Sequence, residues 1–341
     1  MPSRAEIRLM EVCGTHTMAI ARAGLKSLLP AGVELVSGPG CPVCVTPPEV
    51  IDAVLELAMR PGVTIATYGD MVRVPGSRRG DSLARRRALG AEVLVVYSPM
   101  DAVDWAEAHP QRETVFLGVG FETTAPGTAA SILEAKARGV GNFSVFSMLK
   151  RVEPALRSLI AGEGFNIQGF LCPGHVATVV GAEGFRFLPR DYALPAVVAG
   201  FEPQDIMAAV ERLAADVRAG RAELANMYTR AVRSEGIALA LAEMRRVFAP
   251  ARDTWRGLGE IEGSGLAVRP GFAEFDAARK FAVEIPPAAA AACRCGDVIT
   301  GRMPPRGCPL FGAACTPEDP LGPCMVSSEG SCAAAYKYEG V

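Results

Sequence analysis

Ten cysteines occur in the chain of 341 residues, and six of them lie in its last fifty. These six are Cys293, Cys295, Cys308, Cys315, Cys324 and Cys332. The stretch around them is rich in Gly and Pro and shows neither helical nor strand periodicity. Such a stretch cannot bury enough apolar surface to offset the entropy of ordering its backbone. We therefore expect a metal centre to organise this tail.

The spacing of the tail cysteines favours an iron-sulfur cluster. Structural zinc sites usually show two close pairs of ligands. Here the gaps between successive cysteines are one, twelve, six, eight and seven residues, with no histidine close by. Cluster ligands often come from well-separated loops. A zinc site and ordinary buried or paired cysteines remain alternatives, and spacing alone does not decide which four of the six would bind.

A second group of reactive residues lies near the N-terminus. Gly-Pro-Gly leads into Cys41 and Cys44, and Cys13 and His16 occur in an earlier loop. A C-x-x-C pair just before a helix places both sulfurs near unpaired backbone N–H groups, which favours the thiolate. Thiolates bind soft metals or exchange disulfides, and a third ligand from Cys13 or His16 would leave an open position for chemistry. An unrelated pair of cysteines in a turn is the alternative.

Two acidic residues and one further histidine are weaker candidates. Glu122 and Asp70 each follow a predicted strand beside small residues, where they could act as acid–base groups or as helix caps. His175 lies in a Pro-Gly-His loop and is either a site residue or a hydrogen-bonding anchor. The run 118–120 lacks the third glycine of a dinucleotide fingerprint, and no G-x-x-x-x-G-K-[ST] motif occurs, so a nucleotide site has no support.

The elements that must position these residues follow a repeated pattern. Short β-branched apolar runs end in the loops described above, and helical spacing follows each; the runs are 33–36, 63–68, 93–97, 115–119 and 169–171. Strands of this kind form parallel sheets covered on both faces, which bind ligands beyond the carboxyl ends of the strands. We predict an α/β fold with two small parallel-sheet, Rossmann-like lobes around a cleft, residues 1–110 and 111–200. A domain of residues 201–341 follows, helical to about residue 248, then irregular and organised by the iron-sulfur cluster.

Composition excludes several partners. The net charge of −2 provides no broad positive field for a phosphate backbone, so nucleic acid is not expected to bind. No apolar run reaches the roughly 18 residues of a membrane helix. The N-terminal residues lack the pattern of a secretory signal, which predicts a cytoplasmic protein without a membrane anchor. Disulfides are rare in that compartment, so the cysteines are better interpreted as metal ligands or redox thiols.

Six longer motifs together resemble the HypD family of [NiFe]-hydrogenase maturation factors. They are MEVCGTHT at 10–17, GPGCPVC at 38–44, YGDMVRVP at 68–75, GFETT at 120–124, PGH at 173–175 and GPCMVSSEG at 322–330. The motifs extend over nearly the whole chain. Several long motifs in order are more specific than any single C-x-x-C.

The resemblance implies a redox-active scaffold on which the Fe(CN)2CO unit is assembled. Its partners would be a HypC-type small chaperone and a HypE-type cyanide donor. Iron would be held by Cys41, with Cys44 or Cys13 nearby and one thiolate from the chaperone. The family's C-x14-C-x6-C-x16-C pattern is met at four tail cysteines, which would bind a [4Fe-4S] cluster. These are Cys293, Cys308, Cys315 and Cys332.

The same resemblance leaves Cys295 and Cys324 as a redox pair, similar to the arrangement in ferredoxin:thioredoxin reductase. Electrons would pass from cluster to thiols to iron, with Glu329 and His16 tuning the thiolates or handling protons. Whether the chain turns over as an enzyme stays open. The alternative function is an iron-sulfur thiol–disulfide oxidoreductase acting on a protein or small disulfide. A third reading, a zinc-structured interaction module, predicts zinc and no acid-labile sulfide.

Overall fold

Short strands alternate with helices along most of the chain. The computed structural model describes residues 7–288 and 292–340. The strands are β1 (Ile7–Glu11), β2 (Val33–Ser37), β3 (Val63–Thr67), β4 (Glu92–Val95), β5 (Glu113–Gly120), β6 (Phe143–Leu149), β7 (Gly169–Pro173), β8 (Ala196–Ala199), β9 (Leu224–Asn226), β10 (Phe248–Trp255) and β11 (Gly259–Val268). The helices are α1 (Gly14–Arg22), α2 (Pro42–Val45), α3 (Pro48–Ala58), α4 (Leu83–Ala88), α5 (Pro99–Ala108), α6 (Ala125–Arg138), α7 (Val152–Ala161), α8 (Gly174–Val180), α9 (Phe187–Tyr192), α10 (Pro203–Arg218), α11 (Ala238–Val247), α12 (Ala277–Lys280), α13 (Cys295–Ile299) and α14 (Ser331–Ala334). Within these two described ranges, no helix combines the length and apolar character needed to cross a membrane.

Two parallel sheets form the framework, which confirms the predicted α/β class. The first sheet has the order β2-β1-β7-β8-β9 and the second the order β4-β3-β5-β6. All pairings within both sheets are parallel. Every residue of β3, β7 and β8 is buried. Burial on both faces explains why these strands appear in the sequence as unbroken apolar runs.

Neither sheet corresponds to one of the ranges 1–110 and 111–200. The first range supplies β1 and β2 to one sheet and β3 and β4 to the other, and the second range is divided in the same way. The cause is the central position of β1, which pairs with β2 on one side and β7 on the other, with Leu9 opposite Gly169. The second sheet is therefore an insertion between β2 and β7.

The region after residue 248 contains an antiparallel hairpin that the prediction of irregular structure missed. Strands β10 and β11 pair from Phe248 opposite Val268 to Trp255 opposite Gly259. Lys150, at the end of β6, is fully buried and its ammonium group contacts Asp253 at 2.5 Å and the Thr254 carbonyl at 2.9 Å. The hairpin is thus fixed to the second sheet by packing and by an ion pair between a buried ammonium group and a partly exposed carboxylate.

The cysteine-rich tail packs back onto the N-terminal part of the chain. Helix α14 contacts α1, while α13 and the single turn Pro323–Met325 both contact α2. Cys295 and Cys324 belong to the same apolar core as Cys41 and Cys44. The tail is therefore a structural neighbour of the C-x-x-C loop, although about 250 residues of sequence separate them.

Candidate functional site

A cleft of about 240 Å³ lies at the carboxyl ends of the strands of both sheets. Loops after β1, β2, β3, β5 and β7 line it, and a tail segment at Ser327 and Glu329 completes its lining. Most of the motif residues singled out in the sequence therefore meet in one place. This is the position at which open parallel sheets bind ligands.

Cys13 lies between β1 and α1, at the start of the helix. Its side chain is buried, and the backbone N–H groups of Thr15 and His16 favour its thiolate. Burial nevertheless raises the pKa of Cys13 to about 12, and the charge of Glu329 acts in the same direction. At neutral pH Cys13 is therefore a thiol, and a bound cation would have to displace its proton.

Cys41 and Cys44 form a disulfide at the start of α2, with their Cα atoms 5.2 Å apart. The backbone N–H of Cys44 donates to the Cys41 sulfur at 3.1 Å. Gly40 brings this loop onto the Cys13 loop: its carbonyl accepts from the Gly14 N–H at 3.0 Å. A Cβ atom on Gly40 would collide with the backbone nitrogen of Cys13. The three cysteines predicted to hold iron therefore lie on two adjoining loops.

The tail segment 327–329 forms one side of this site. Ser327 Oγ lies 3.4 Å from the Cys41 sulfur. Asp70 accepts hydrogen bonds from the Ser328 N–H at 2.9 Å and from its hydroxyl at 2.6 Å. Thr15 Oγ1 donates to the Glu329 carboxylate at 2.9 Å, and burial raises the pKa of Glu329. Glu329 thus lies beside Cys13, where its protonation affects the thiol.

The two histidines of the motifs occupy different environments. His16 is fully buried, donates from Nε2 to the Gly200 carbonyl at 2.9 Å, and is absent from the cleft lining. Burial lowers the pKa of His16 to about 4, so its ring is neutral. His175 does line the cleft, with its ring 4.0 Å from Phe201, which also contacts His16 at 4.6 Å. Of these two histidines, His175 is therefore the one whose residue lines the cleft.

Four of the tail cysteines form a continuous series of contacts. The side chain of Cys295 lies next to those of Cys293 and Cys324, and the side chain of Cys324 also lies next to that of Cys332. The hydrogen bonds from Cys293 and Cys324 lower the pKa of Cys295 well below its usual value. Cys295 and Cys324 are both buried. The two cysteines that the cluster pattern leaves over are therefore in direct contact, and the interactions that lower the pKa of Cys295 raise that of Cys324.

The remaining tail cysteines lie close to this series. Burial raises the pKa of Cys315, and the charges of Cys332 and Cys308 add to this effect. The Leu321 N–H donates to the Cys315 sulfur at 3.3 Å. Amide donors of this kind also surround the sulfurs of iron-sulfur clusters, so the donor set suits such a cluster in its chemistry. In residues 7–288 and 292–340, however, no three His, Cys, Asp or Glu side chains are already arranged as a metal site.

Glu122 is buried outside the cleft and caps a helix. Its carboxylate accepts from the N–H of Val152, the first residue of α7, at 3.1 and 3.3 Å. Burial raises the pKa of Glu122 to about 7 from an ordinary value of 4.5. The carboxyl group therefore positions α7 rather than contacting a ligand in the cleft.

The raised pKa of Glu122 predicts a pH-dependent stability. Between pH 4.5 and 7 the folded chain binds this proton more tightly than the unfolded chain, so stability decreases as the pH rises. Glu122→Gln removes the effect, and its unfolding free energy relative to wild type should increase by up to about 3 kcal/mol over that interval. Urea unfolding of both proteins at pH 5 and pH 8 measures the difference. If the difference in unfolding free energy between the two proteins is the same at both pH values, the raised pKa of Glu122 is contradicted. Glu11, whose pKa is also raised to about 7, contributes equally to both proteins and does not affect their difference.

Asp70 is expected to hold the tail segment in place. Asp70→Ala removes the acceptor for the Ser328 N–H and hydroxyl, and hydrogen bonds to charged groups contribute roughly 1.5–3 kcal/mol. Hydrogen exchange at residues 327–329 should become about tenfold faster or more. Asp52→Ala is the control, because Asp52 accepts from the Ser77 N–H at 2.9 Å away from the tail. Equal exchange rates in both variants would show that Asp70 does not hold the segment.

The chain is similar to known proteins over nearly its whole length. The family profile described as "HypD: Hydrogenase formation hypA family" matches residues 1–339. The "Hydrogenase maturation factor HypD" of Azotobacter vinelandii is 47% identical over 343 residues, which cover 98% of this chain and 90% of the relative. Proteins of the same name from Rhizobium leguminosarum bv. viciae and Escherichia coli (strain K12) are 45% and 46% identical. Those alignments cover 99% and 97% of this chain and 89% of each relative.

Proposed function

This chain belongs to the HypD family of hydrogenase maturation factors, and from that premise we propose that it is the scaffold on which the Fe(CN)2CO unit of [NiFe]-hydrogenases is assembled. The observation that carries the proposal is that Cys13, which lines the cleft, lies on a loop joined to the loop of the Cys41–Cys44 pair by the hydrogen bond from the Gly14 N–H to the Gly40 carbonyl. Soft thiolates suit an iron that carries cyanide and carbon monoxide. The assembled unit is cargo, which leaves with a partner protein.

Iron would bind Cys41, with Cys44 or Cys13 as its neighbour. A HypC-type chaperone would supply one more thiolate, and a HypE-type protein would donate cyanide. Because Cys13 carries its proton at neutral pH, iron entry requires a proton acceptor. We assign that role to Glu329, which is held near Cys13 by its hydrogen bond with Thr15. The thiols would work in the cytoplasm, where they are kept reduced.

The Cys41–Cys44 disulfide must open before both sulfurs are available to iron. Opening takes two electrons and two protons. A [4Fe-4S] cluster bound by Cys293, Cys308, Cys315 and Cys332 would supply electrons one at a time when present. Cys295 and Cys324 are in contact with one another and with two of these ligands, and their segments pack on α2. They are therefore suited to pass reducing equivalents to Cys41 and Cys44.

The proposal is tested by infrared spectroscopy of the anaerobically purified chain together with its small chaperone. Bands of metal-bound carbon monoxide and cyanide, with iron in excess of the sulfide-containing cluster, are the expected result. Absence of the bands when all maturation partners are supplied would overturn the scaffold function.

The disulfide favours a second candidate function, that of a thiol–disulfide oxidoreductase. An oxidoreductase would reduce a protein or small disulfide repeatedly without any partner from the maturation machinery. The scaffold instead forms a lasting complex that contains additional iron. Disulfide turnover by the isolated chain, measured beside the infrared spectrum, distinguishes the two functions.

A further inference from the structure

The turn of the β10–β11 hairpin, residues 256–258, lies between the two groups of cysteines. On one side it contacts the end of α2, the helix that begins after Cys41. The Arg256 N–H donates to the Val45 carbonyl at 2.8 Å, and the Arg256 guanidinium donates to the Thr46 carbonyl at 2.9 and 3.2 Å. These are carbonyl groups that the short helix leaves without intrahelical partners. The hairpin turn therefore caps the C-x-x-C helix from outside.

On its other side the hairpin turn contacts α13, whose first residue is Cys295. Gly257 has a φ of +81° and packs directly on the backbone of Gly296. A Cβ atom on Gly257 would lie 2.6 Å from the Gly296 Cα atom, which is too close for any side chain. Arg302 adds a polar link, because it donates to the Gly257 carbonyl at 3.1 Å and to the Asp297 carboxylate of α13 at 3.2 Å. One turn thus fixes the spacing between two helices that each carry a reactive cysteine.

We propose that the hairpin turn is a positioning element which couples the tail cysteines to the Cys41–Cys44 pair, with Arg256 and Gly257 as its two contact residues. The inference rests on the proposed redox connection and identifies the part of the fold on which that connection depends. Neither residue reacts. Each acts by holding α2 against α13, so that a sulfur of one pair reaches a sulfur of the other.

The coupled step is a dithiol–disulfide exchange that needs no external reductant. A tail thiolate, Cys295 or Cys324, attacks one sulfur of the Cys41–Cys44 disulfide and forms a mixed disulfide, releasing the other sulfur as a thiolate. The second tail thiol, after losing its proton, then attacks the mixed disulfide. The tail pair becomes the disulfide, and Cys41 and Cys44 take up the two protons that the tail thiols lost.

The experiment follows the exchange in the full chain, purified and reduced anaerobically. One equivalent of the oxidant diamide is added, samples are quenched with acid and alkylated, and peptide mass spectrometry reports how the disulfide distributes between the two pairs with time. Arg256→Met removes the guanidinium, and Gly257→Ala forces the turn away from Gly296. Arg256→Lys retains a donor for the Thr46 carbonyl and should remain within threefold of wild type.

Two matched controls lie on the same hairpin. Gly259→Ala places a side chain at φ +76° in open space, so it reproduces the backbone strain of Gly257→Ala without the collision. Arg252→Met removes a solvent-exposed guanidinium that pairs only with Glu260 and Glu262. Reduction of each variant by an external phosphine reports the intrinsic reactivity of the Cys41–Cys44 disulfide, which should stay within twofold of wild type.

We expect the disulfide to redistribute between the two cysteine pairs at least tenfold more slowly in Arg256→Met and Gly257→Ala than in wild type. In both controls it should redistribute at the wild-type rate. Equal rates in all proteins, or no redistribution in the wild type, would overturn the coupling. If Gly257→Ala does not fold, the exchange rate of Arg256→Met alone decides whether the hairpin turn couples the two pairs, because this substitution introduces no collision. The infrared bands report the scaffold function separately. If the bands are present but the exchange rate is the same in wild type and variants, only the coupling is contradicted. If the bands are absent, the scaffold function is contradicted.

Discussion

In Cys41→Ala, the infrared bands of iron-bound carbon monoxide and cyanide should fall at least tenfold, to the limit of detection. Cys41 is at the N-terminus of α2, between the cleft-lining residues Gly40 and Pro42, and its sulfur accepts a hydrogen bond from the Cys44 N–H and lies 3.4 Å from Ser327 Oγ. Alanine removes the soft ligand and leaves Cys44 without a partner. The visible absorption of the proposed tail cluster should persist, because the four cysteines proposed to bind it lie on a different segment. Infrared and visible spectra of the same anaerobic sample measure both effects.

Cys172→Ala is the matched control for this experiment. Cys172 is also a buried cysteine, but it lies within strand β7 and not on either of the adjoining loops that carry Cys13 and Cys41. Its replacement should leave the infrared bands at their wild-type intensity. Retention of the bands in Cys41→Ala, or their equal loss in both variants, would contradict the assignment of Cys41 as the iron ligand.

Replacement of Cys308 should remove the proposed tail cluster, which replacement of Cys41 should leave intact. Cys308→Ser removes one of four proposed cluster ligands, so acid-labile sulfide and cluster absorption should be lost. The described tail residues contain only short helices and single turns, which provide little stability of their own without bound metal. We expect trypsin to cleave at Arg294, Arg302 or Arg306 more than tenfold faster than in wild type. Limited proteolysis followed by mass spectrometry of the fragments gives the rates.

Ala313→Ser tests whether any change in this segment has the same effect. Ala313 is exposed and lies in the loop between Cys308 and Cys315. Its substitution should leave both sulfide content and cleavage rates unchanged. A Cys308→Ser protein with normal protease resistance would show that the cluster does not organise the tail, even if the cluster itself is lost.

Local sequence patterns predicted five of the nine strands in the two sheets, β2, β3, β4, β5 and β7. The runs 63–68 and 169–171 contain the buried strand residues 63–67 and 169–171, because burial on both faces imposes an apolar pattern on each strand by itself. Strand β1 was not among the predicted runs, so its central position and its pairing with β7 were missed. The hairpin was also missed. Its exposed side carries charged residues such as Arg252 and Glu262, and several glycines and a proline interrupt it.

The proximity of the Cys13 and Cys41 loops could be predicted from the sequence, whereas the contacts of the tail segment 327–329 with these loops could not. The Cys13 and Cys41 loops follow neighbouring strands, so topology brings them together. The contact of Asp70 with Ser328 joins residues that are 258 apart, and nothing local in the sequence indicates it. His16 and His175 illustrate the same limit. Both belong to sequence motifs, but only the structure shows that His16 is fully buried whereas His175 lines the cleft.

The insertion of the second sheet between β2 and β7 also determines the order in which a ribosome can complete this protein. Strand β1 is synthesised first but must wait for residues near 169 before its second neighbour exists. The cleft is completed later still, because residues 327–329 supply its last side. A chain that is still being translated, or one that ends early, therefore lacks a complete site. Under the proposed function, iron and its ligands can therefore meet a complete binding site only after residues 327–329 have been synthesised.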